Sequence, residues 1–128
     1  MRIMRTFARF VIDSLDNSLP IFERLTGTRA VRFPYREWEV GVVGDFLLVQ
    51  IPPGTEPAWL VRALCAVDDL DETLRALTEG EAEILSGPND VPIGRNILAR
   101  HPDGLVIEYL LPNADLTQLF LPSRVPER

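Results

Sequence analysis

Few side chains in this sequence are suited to covalent chemistry. All 13 basic residues are Arg, so a Schiff-base or lysine-nucleophile mechanism is excluded. Cys65 is the only cysteine, and its neighbours Leu64, Ala66 and Val67 predict a buried thiol rather than a catalytic thiolate. The only histidine, His101, is far from Cys65 in sequence, and we expect it to have a surface or turn-stabilising role. No catalytic residue is evident from these residue types.

The composition and charge of the chain indicate which kinds of partner it is not expected to bind and where it acts. A chain of 128 residues with 46% hydrophobic and 25% charged residues is typical of one globular domain. A net charge of -6 and a pI near 4.7 argue against binding to nucleic acid or to an anionic membrane surface. Without a secretory signal pattern or a run long enough to span a membrane, the protein is predicted to be cytoplasmic, which suits a single cysteine.

Residue patterns in the first half predict a strand, a helix and then further strands. Thr6–Ile12 is typical of a strand, and Asp13 and Ser14 are good helix-capping residues. The helix should end at Gly27, and Pro20 suggests that its regular part begins near Asn17. Its apolar stripe consists of Leu15, Leu19, Phe22 and Leu25. Two or three antiparallel strands are expected in Ala30–Ile51, with a turn at Gly44-Asp45 and a breaker-rich connector from Pro52 to Pro57.

The same order of elements is predicted again in the second half. Val61–Val67 forms a strand, Asp68-Asp69 caps a helix that is closed by Gly80, and Leu70, Leu74 and Leu77 form its buried stripe. The remaining predicted elements are a short strand at Ala82–Leu85, a loop at 87–90, a strand at Ile93–Arg100, a turn at 102–104 and a strand at Leu105–Leu111.

A repeat explains this recurrence. Ile12–Leu19 superposes on Val67–Leu74 with an offset of 67 − 12 = 55, and Phe46–Ile51 superposes on Gly104–Tyr109. Chance similarity between two capped helices is the alternative. The predicted fold is α+β, with two tandem βαβββ modules in a single domain, 1–128. Module 1 covers about 6–51, the connector 52–60, module 2 about 61–111 and the C-terminal tail 112–128.

Three segments resemble the vicinal oxygen chelate superfamily, which includes glyoxalase I, extradiol dioxygenases and bleomycin-resistance proteins. The segments are Val11–Ser18, Val67–Asp71 and His101–Glu108. The resemblance implies that the two modules form a cup-shaped, curled sheet with a site on its concave side. It also implies that four positions supply metal ligands in the metal-dependent members. These positions correspond to Phe7, Gln50, Arg62 and Glu108.

Only Glu108 matches the usual ligand at these positions. A catalytic divalent ion needs three or four converging N or O donors. Phe7 offers none, and Arg62 brings a positive charge. We therefore predict that there is no metal and no cofactor. Arg62 and Glu108 are expected to form a pair, which serves either as an ordinary structural ion pair or as part of a ligand site, and Gln50 could form hydrogen bonds with a ligand.

Aromatic side chains could form the walls of a site for an organic ligand. The candidates are Phe33, Tyr35, Trp38, Trp59 and Tyr109. Tyr35 and Trp38 have opposite parity if the strand is unbroken, so we expect only one of them to face the ligand, and Trp38 is favoured. The predicted ligand-binding residues are Gln50, Arg62, Glu108, Trp38 and Phe7.

Three functions are compatible with these patterns. The first is metal-independent binding of a small organic, possibly aromatic, molecule, as in the drug-sequestering members of the superfamily. The second is an isomerase, lyase or dioxygenase-like enzyme that uses Glu108 as an acid or base. The third is a structural or regulatory domain whose cup has collapsed. A homodimer is expected, partly because the tail contains apolar residues: Leu116, Leu119, Phe120 and Leu121.

Overall fold

The computed structural model describes residues 1–57 and 60–116, so Trp59, Leu119, Phe120 and Leu121 lie outside the described residues. Its elements, in chain order, are β1 (Ile3–Ile12), α1 (Leu15–Thr26), β2 (Val31–Tyr35), β3 (Trp38–Val43), β4 (Phe46–Gln50), β5 (Val61–Val67), α2 (Leu70–Glu79), β6 (Glu83–Val91), β7 (Gly94–Arg100) and β8 (Val106–Pro112). Within this described part, no helix is long and apolar enough to cross a membrane.

The order of elements is βαβββ followed by βαβββ, so the predicted α+β fold class is confirmed. The two copies keep the predicted offset at three points. The first strands end at Ile12 and Val67, the helix caps are Ser14 and Asp69, and the helices begin at Leu15 and Leu70. Each cap accepts a backbone hydrogen bond with its side-chain oxygen, as predicted for the first turn of a helix.

Two compact units make up the fold. The N-terminal unit is Phe7–Leu64, and the C-terminal unit is Met1–Thr6 together with the described residues from Cys65 onward. The division falls within β1 and within β5, so each of these strands contributes residues to both units. The N-terminal unit contains most of predicted module 1, and the C-terminal unit contains most of predicted module 2, so units and modules differ chiefly at the starts of β1 and β5.

In the N-terminal unit, the strands lie in the order β2-β3-β4-β1, with β1 parallel to β4 and the other pairs antiparallel. Helix α1 packs on one face of these strands, where Leu15 and Leu19 join Val43 and Leu48 in a buried core. Gly41 allows this close approach, because a Cβ there would lie 3.1 Å from a Leu19 methyl carbon.

Helix α1 begins at Leu15 rather than near Asn17, so that prediction is wrong. Pro20 lies inside the helix and cannot donate to the carbonyl of Asp16. The exposed position of Pro20 leaves that carbonyl open to water, which limits the cost of the lost bond. Gly27 ends the helix in the left-handed region, at φ 67°, as predicted from its type.

In the C-terminal unit, the strands lie in the order β5-β8-β7-β6, and α2 packs on one face of them. The buried core on that face comprises Cys65, Val67, Leu70, Leu77, Ile97, Ala99 and Tyr109. Strand β6 is longer than predicted, since it includes the expected loop at 87–90. Two register shifts, between Ile84 and Ser86 and between Ser86 and Asn89, let the strand continue through Gly87-Pro88.

Candidate functional site

The face of the N-terminal unit turned away from α1 is largely apolar. Gly41 and Leu48 are cross-strand partners that face α1. Because side chains alternate along a strand, their neighbours in β3 and β4 point the other way. On β3 and β4 these are Val40, Val42, Leu47 and Val49, all of which are buried. On β1 they include Phe7, which is fully buried, and Val11, which is paired with Val49.

Three aromatic residues extend this face at the β2–β3 hairpin. Tyr35 and Trp38 are direct cross-strand partners, and their ring centroids lie 5.8 Å apart in an edge-to-face arrangement. Phe33 is paired with Val40 and therefore points to the same side. All three rings are half-buried. The expectation that Tyr35 and Trp38 face opposite ways is wrong, because a two-residue turn separates the strands.

That turn consists of Arg36 and Glu37, and Arg36 adopts a positive φ of 55°. The sequence lacks the Gly or Asn that usually indicates such a turn, which is why the position of this turn was not predicted. The guanidinium carbon of Arg36 lies 5.5 Å from the centre of the Tyr35 ring, in cation–π geometry. The hairpin therefore brings two aromatic residues together on one face.

Gln50 does not lie on this face, which corrects its expected place beside the other ligand-binding residues. It pairs with Glu39 and has the same parity as Leu48, which packs against α1. The backbone N–H of Leu15 donates to Gln50 Oε1 over 2.7 Å. Gln50 therefore satisfies one of the unpaired N–H groups in the first turn of α1.

A shift of one residue explains the error. The superposition of Phe46–Ile51 on Gly104–Tyr109 aligned Gln50 with Glu108, but the two side chains point to opposite faces relative to the helix of their unit. In β4 the residue that shares the orientation of Glu108 is Val49. A one-residue slip in a strand moves every side chain to the other face, and hydrophobic pattern alone does not resolve it in two short apolar strands.

Arg62 is exposed near the start of β5, on the side of the strand away from Cys65. Its expected pairing with Glu108 stays a prediction. Among residues 1–57 and 60–116, no group of three or more His, Cys, Asp or Glu side chains is placed to hold a metal ion.

In the C-terminal unit, polar side chains lie on the face turned away from α2. Glu108 is half-buried, and Nδ2 of Asn96 donates to its Oε2 over 3.1 Å. Asn96 is paired with Asn89 across β6 and β7, and Nδ2 of Asn89 donates to Ser86 Oγ over 2.7 Å. Sequence reasoning missed Asn96. Asn96 could have been identified from its neighbour Ile97. Ile97 is apolar and packs in the core, so the adjacent Asn96 must point to the opposite face.

The opposite face of this unit holds Tyr109, His101 and Cys65. Tyr109 is buried in the core beneath α2, so its expected role as a wall of the ligand site is wrong. Its hydroxyl lies 2.7 Å from His101 Nε2, and His101 also joins the turn, because its backbone N–H donates to Leu105 O. The predicted burial of Cys65 is confirmed.

Burial raises the pKa of Tyr109 to about 12, and the nearby Cys65 contributes in the same direction. Burial also raises the pKa of the Cys65 thiol, while the Thr6 hydroxyl, 3.6 Å from the sulfur, acts the other way. A thiol kept neutral in this way is a poor nucleophile, which agrees with its expected inert role.

Comparison with known proteins places the fold. No family model matches the chain, and no curated protein matches it. Among solved structures, methylmalonyl-CoA epimerase from Mycobacterium tuberculosis superposes with a TM-score of 0.62 at 14% identity, covering 88% of this chain and 89% of the epimerase. An NAD-dependent benzaldehyde dehydrogenase structure from Legionella pneumophila gives 0.57 at 14% identity, covering 84% and 99%. The fold is therefore the predicted α+β, glyoxalase-like fold.

A nearer relative establishes family membership. An uncharacterised protein from Methanosarcina mazei is 34% identical and superposes with a TM-score of 0.82, covering 88% of this chain and 95% of that one. The chain belongs to the family of that protein. The more distant structures, at 14% identity, show the fold alone.

Replacing Gln50 tests its assignment to the helix. The variant Gln50→Leu leaves the N–H of the buried Leu15 without its acceptor, and we expect a loss of about 1–3 kcal/mol in the free energy of unfolding in urea. Gln50→Glu keeps an oxygen acceptor at the helix N-terminus and should retain most of the stability. Equal losses in the two variants would contradict the assignment.

Tyr109 predicts a pH dependence of stability. The neutral phenol is favoured in the folded state, whose pKa is about 12 against 10 for the free side chain. The stabilisation is therefore complete below pH 10 and is lost as the pH rises toward 12. Urea unfolding of Tyr109→Phe should show a weaker decline than wild type over this range. Tyr35→Phe, at a half-buried tyrosine on β2, is the control and should follow wild type.

Proposed function

We propose that this protein binds a small organic molecule with a planar or aromatic part, on the face of the N-terminal unit turned away from α1. The observation that carries the proposal is the grouping of Phe33, Tyr35 and Trp38, three half-buried aromatic rings on one side of a hairpin. Aromatic rings offer large contact areas at a small cost in side-chain entropy, and offset or edge-to-face packing adds specificity.

The neighbouring surface supports the proposal. Val40 and Val49 continue the apolar face beside the rings, and Val11 leaves part of that face accessible, since its side chain is 41% exposed. An apolar surface with a few polar groups at its border is typical of small-molecule sites. Trp38 keeps its expected role as a ligand contact, whereas Phe7 is fully buried and supports the surface from beneath instead of touching a ligand.

We propose further that binding does not depend on a resident metal ion. At the four positions that correspond to metal ligands in metal-dependent relatives, the side chains are Phe7, Val49 by the corrected register, Arg62 and Glu108. Two of these are hydrocarbon, one is a cation, and only Glu108 offers oxygen donors. A divalent ion needs three or four N or O donors, so this donor set does not fit one.

A second function rests on a different observation. The contact between Asn96 and Glu108 holds a half-buried carboxylate in a defined orientation, which suits an acid or base in proton transfer. The two distant structures are an epimerase and a dehydrogenase, and these activities differ from each other, so they do not favour either of the two functions. A homodimer also remains part of the proposal, since Phe10, Ile21 and Leu25 present apolar side chains to solvent.

The aromatic surface can be tested with 1-naphthol as a probe in isothermal titration calorimetry. We expect saturable binding to the wild-type protein and an affinity at least about tenfold weaker for Trp38→Ala, because one ring of the group is lost. Glu37→Ala, an exposed change in the same turn, should bind as wild type does. Equal affinities for all three proteins would show that 1-naphthol does not bind at this aromatic surface and would contradict the proposal.

Metal independence can be measured by elemental analysis of protein purified without chelators. The content of nickel, iron, manganese and zinc should be far below one ion per chain, and dialysis against EDTA should leave 1-naphthol binding and the melting temperature unchanged. A stoichiometric metal that is lost in Glu108→Gln would overturn this part of the proposal.

The second function predicts proton exchange. Incubation of α-carbonyl acids with protein in D2O would show deuterium incorporation at the carbon beside the carbonyl by NMR. The rate should fall by about 10²- to 10⁴-fold in Glu108→Gln. The control is Glu83→Gln, which breaks only a surface ion pair with Arg100. If no compound exchanges faster with the protein than in D2O without it, the enzymatic function is rejected and only the binding function stands.

A further inference from the structure

The polar side chains on the α2-remote face of the C-terminal unit form a continuous row across three strands. We call this row the polar strip, and it consists of Ser86, Asn89, Asn96 and Glu108. Side chains of directly paired residues in antiparallel strands have Cβ atoms about 5 Å apart, so Asn89 and Asn96 are neighbours on this face. The remaining links are the two hydrogen bonds from Asn96 to Glu108 and from Asn89 to Ser86.

The surroundings of the strip are apolar. Leu98 and Leu110 point to the same side as Glu108, and Leu110 is fully buried. Ser86, Asn96 and Glu108 are themselves half-buried. Asn89 is exposed, and among the described residues no buried side-chain N or O atom lacks a hydrogen-bond partner, so the remaining donors and acceptors of the two asparagines are open to solvent and accessible to a ligand.

The hydrogen bonds within the strip determine which donors and acceptors of the asparagine and serine side chains are left for a ligand. Each asparagine uses its amide nitrogen once within the strip. Within residues 1–57 and 60–116, the carbonyl oxygens of Asn89 and Asn96 accept no hydrogen bond from the protein, and each amide nitrogen keeps a second N–H. Each amide therefore presents one donor and one acceptor, and the Ser86 hydroxyl adds a donor.

We propose that the polar strip is a binding site for adjacent hydroxyl groups of a polyol. A hydroxyl both donates and accepts, so it satisfies an amide N–H and an amide carbonyl at the same time. The Glu108 carboxylate accepts a hydrogen bond from Asn96 and so helps to fix the orientation of that amide in the row. The site is independent of the aromatic surface, since it needs no aromatic ring in its ligand.

An NMR titration with three four-carbon probes tests this proposal. The probes are erythritol, which has four adjacent hydroxyls, 1,4-butanediol, which lacks the two central ones, and butylammonium, which replaces hydroxyls with a charge. We expect erythritol to shift the side-chain amide resonances of Asn89 and Asn96 in a saturable way at millimolar concentrations. The amides of Asn17 and Asn113, which lie outside the strip, serve as internal controls and should not move.

Variants sharpen the test. Asn96→Ala should weaken erythritol binding by about three- to tenfold, as expected for the loss of one or two hydrogen bonds. Asn17→Ala, at an exposed position in α1, should not change it. The proposal is overturned if 1,4-butanediol or butylammonium shifts the Asn89 and Asn96 resonances as strongly as erythritol does, or if erythritol produces no saturable shift. None of these probes carries an aromatic ring, so either result leaves the test with 1-naphthol unaffected.

Discussion

Each helix packs on one face of the strands of its own unit, and this packing decides which side chains the other face can use. Leu15 and Leu19 of α1 take the side that carries Val43 and Leu48, while Leu70 and Leu77 of α2 take the side that carries Ile97 and Tyr109. Because strand residues alternate, the remaining side chains are then committed to the opposite face. In each unit, the face of the strands that the helix does not cover is therefore the place for a binding or catalytic site.

The two units have used that opposite face differently. In the N-terminal unit it is hydrocarbon and aromatic, whereas in the C-terminal unit it includes a carboxylate, two amides and a hydroxyl. The helix caps and helix starts kept their spacing in both copies, because an unsatisfied first turn is costly whatever the strands carry. The need to cap the helices thus preserves the repeated framework, whereas it does not constrain the side chains on the uncovered faces, which have diverged.

Much of this framework could be predicted from the sequence. Apolar spacing, Ser14, Asp69 and Gly27 correctly indicated the helices, since caps and stripes are local signals. The errors came where a side chain's direction depended on pairing. Gln50 was placed one residue out of register, and the turn at Arg36-Glu37 had no glycine or asparagine to reveal it. Tyr109 was a candidate wall of the ligand site, but its pairing with Ile97 places it in the core.

The outer strands have a consequence for how copies of this chain can meet. β2 is the outermost strand of its unit and contains Pro34, which has no N–H to offer, and β6, outermost in the other unit, is interrupted by two register shifts and Pro88. An uninterrupted edge would be a template for a strand from another molecule, and such growth has no natural end. Because both outer strands are interrupted, growth by adding strands at these edges is disfavoured, and association between copies is left to side-chain surfaces.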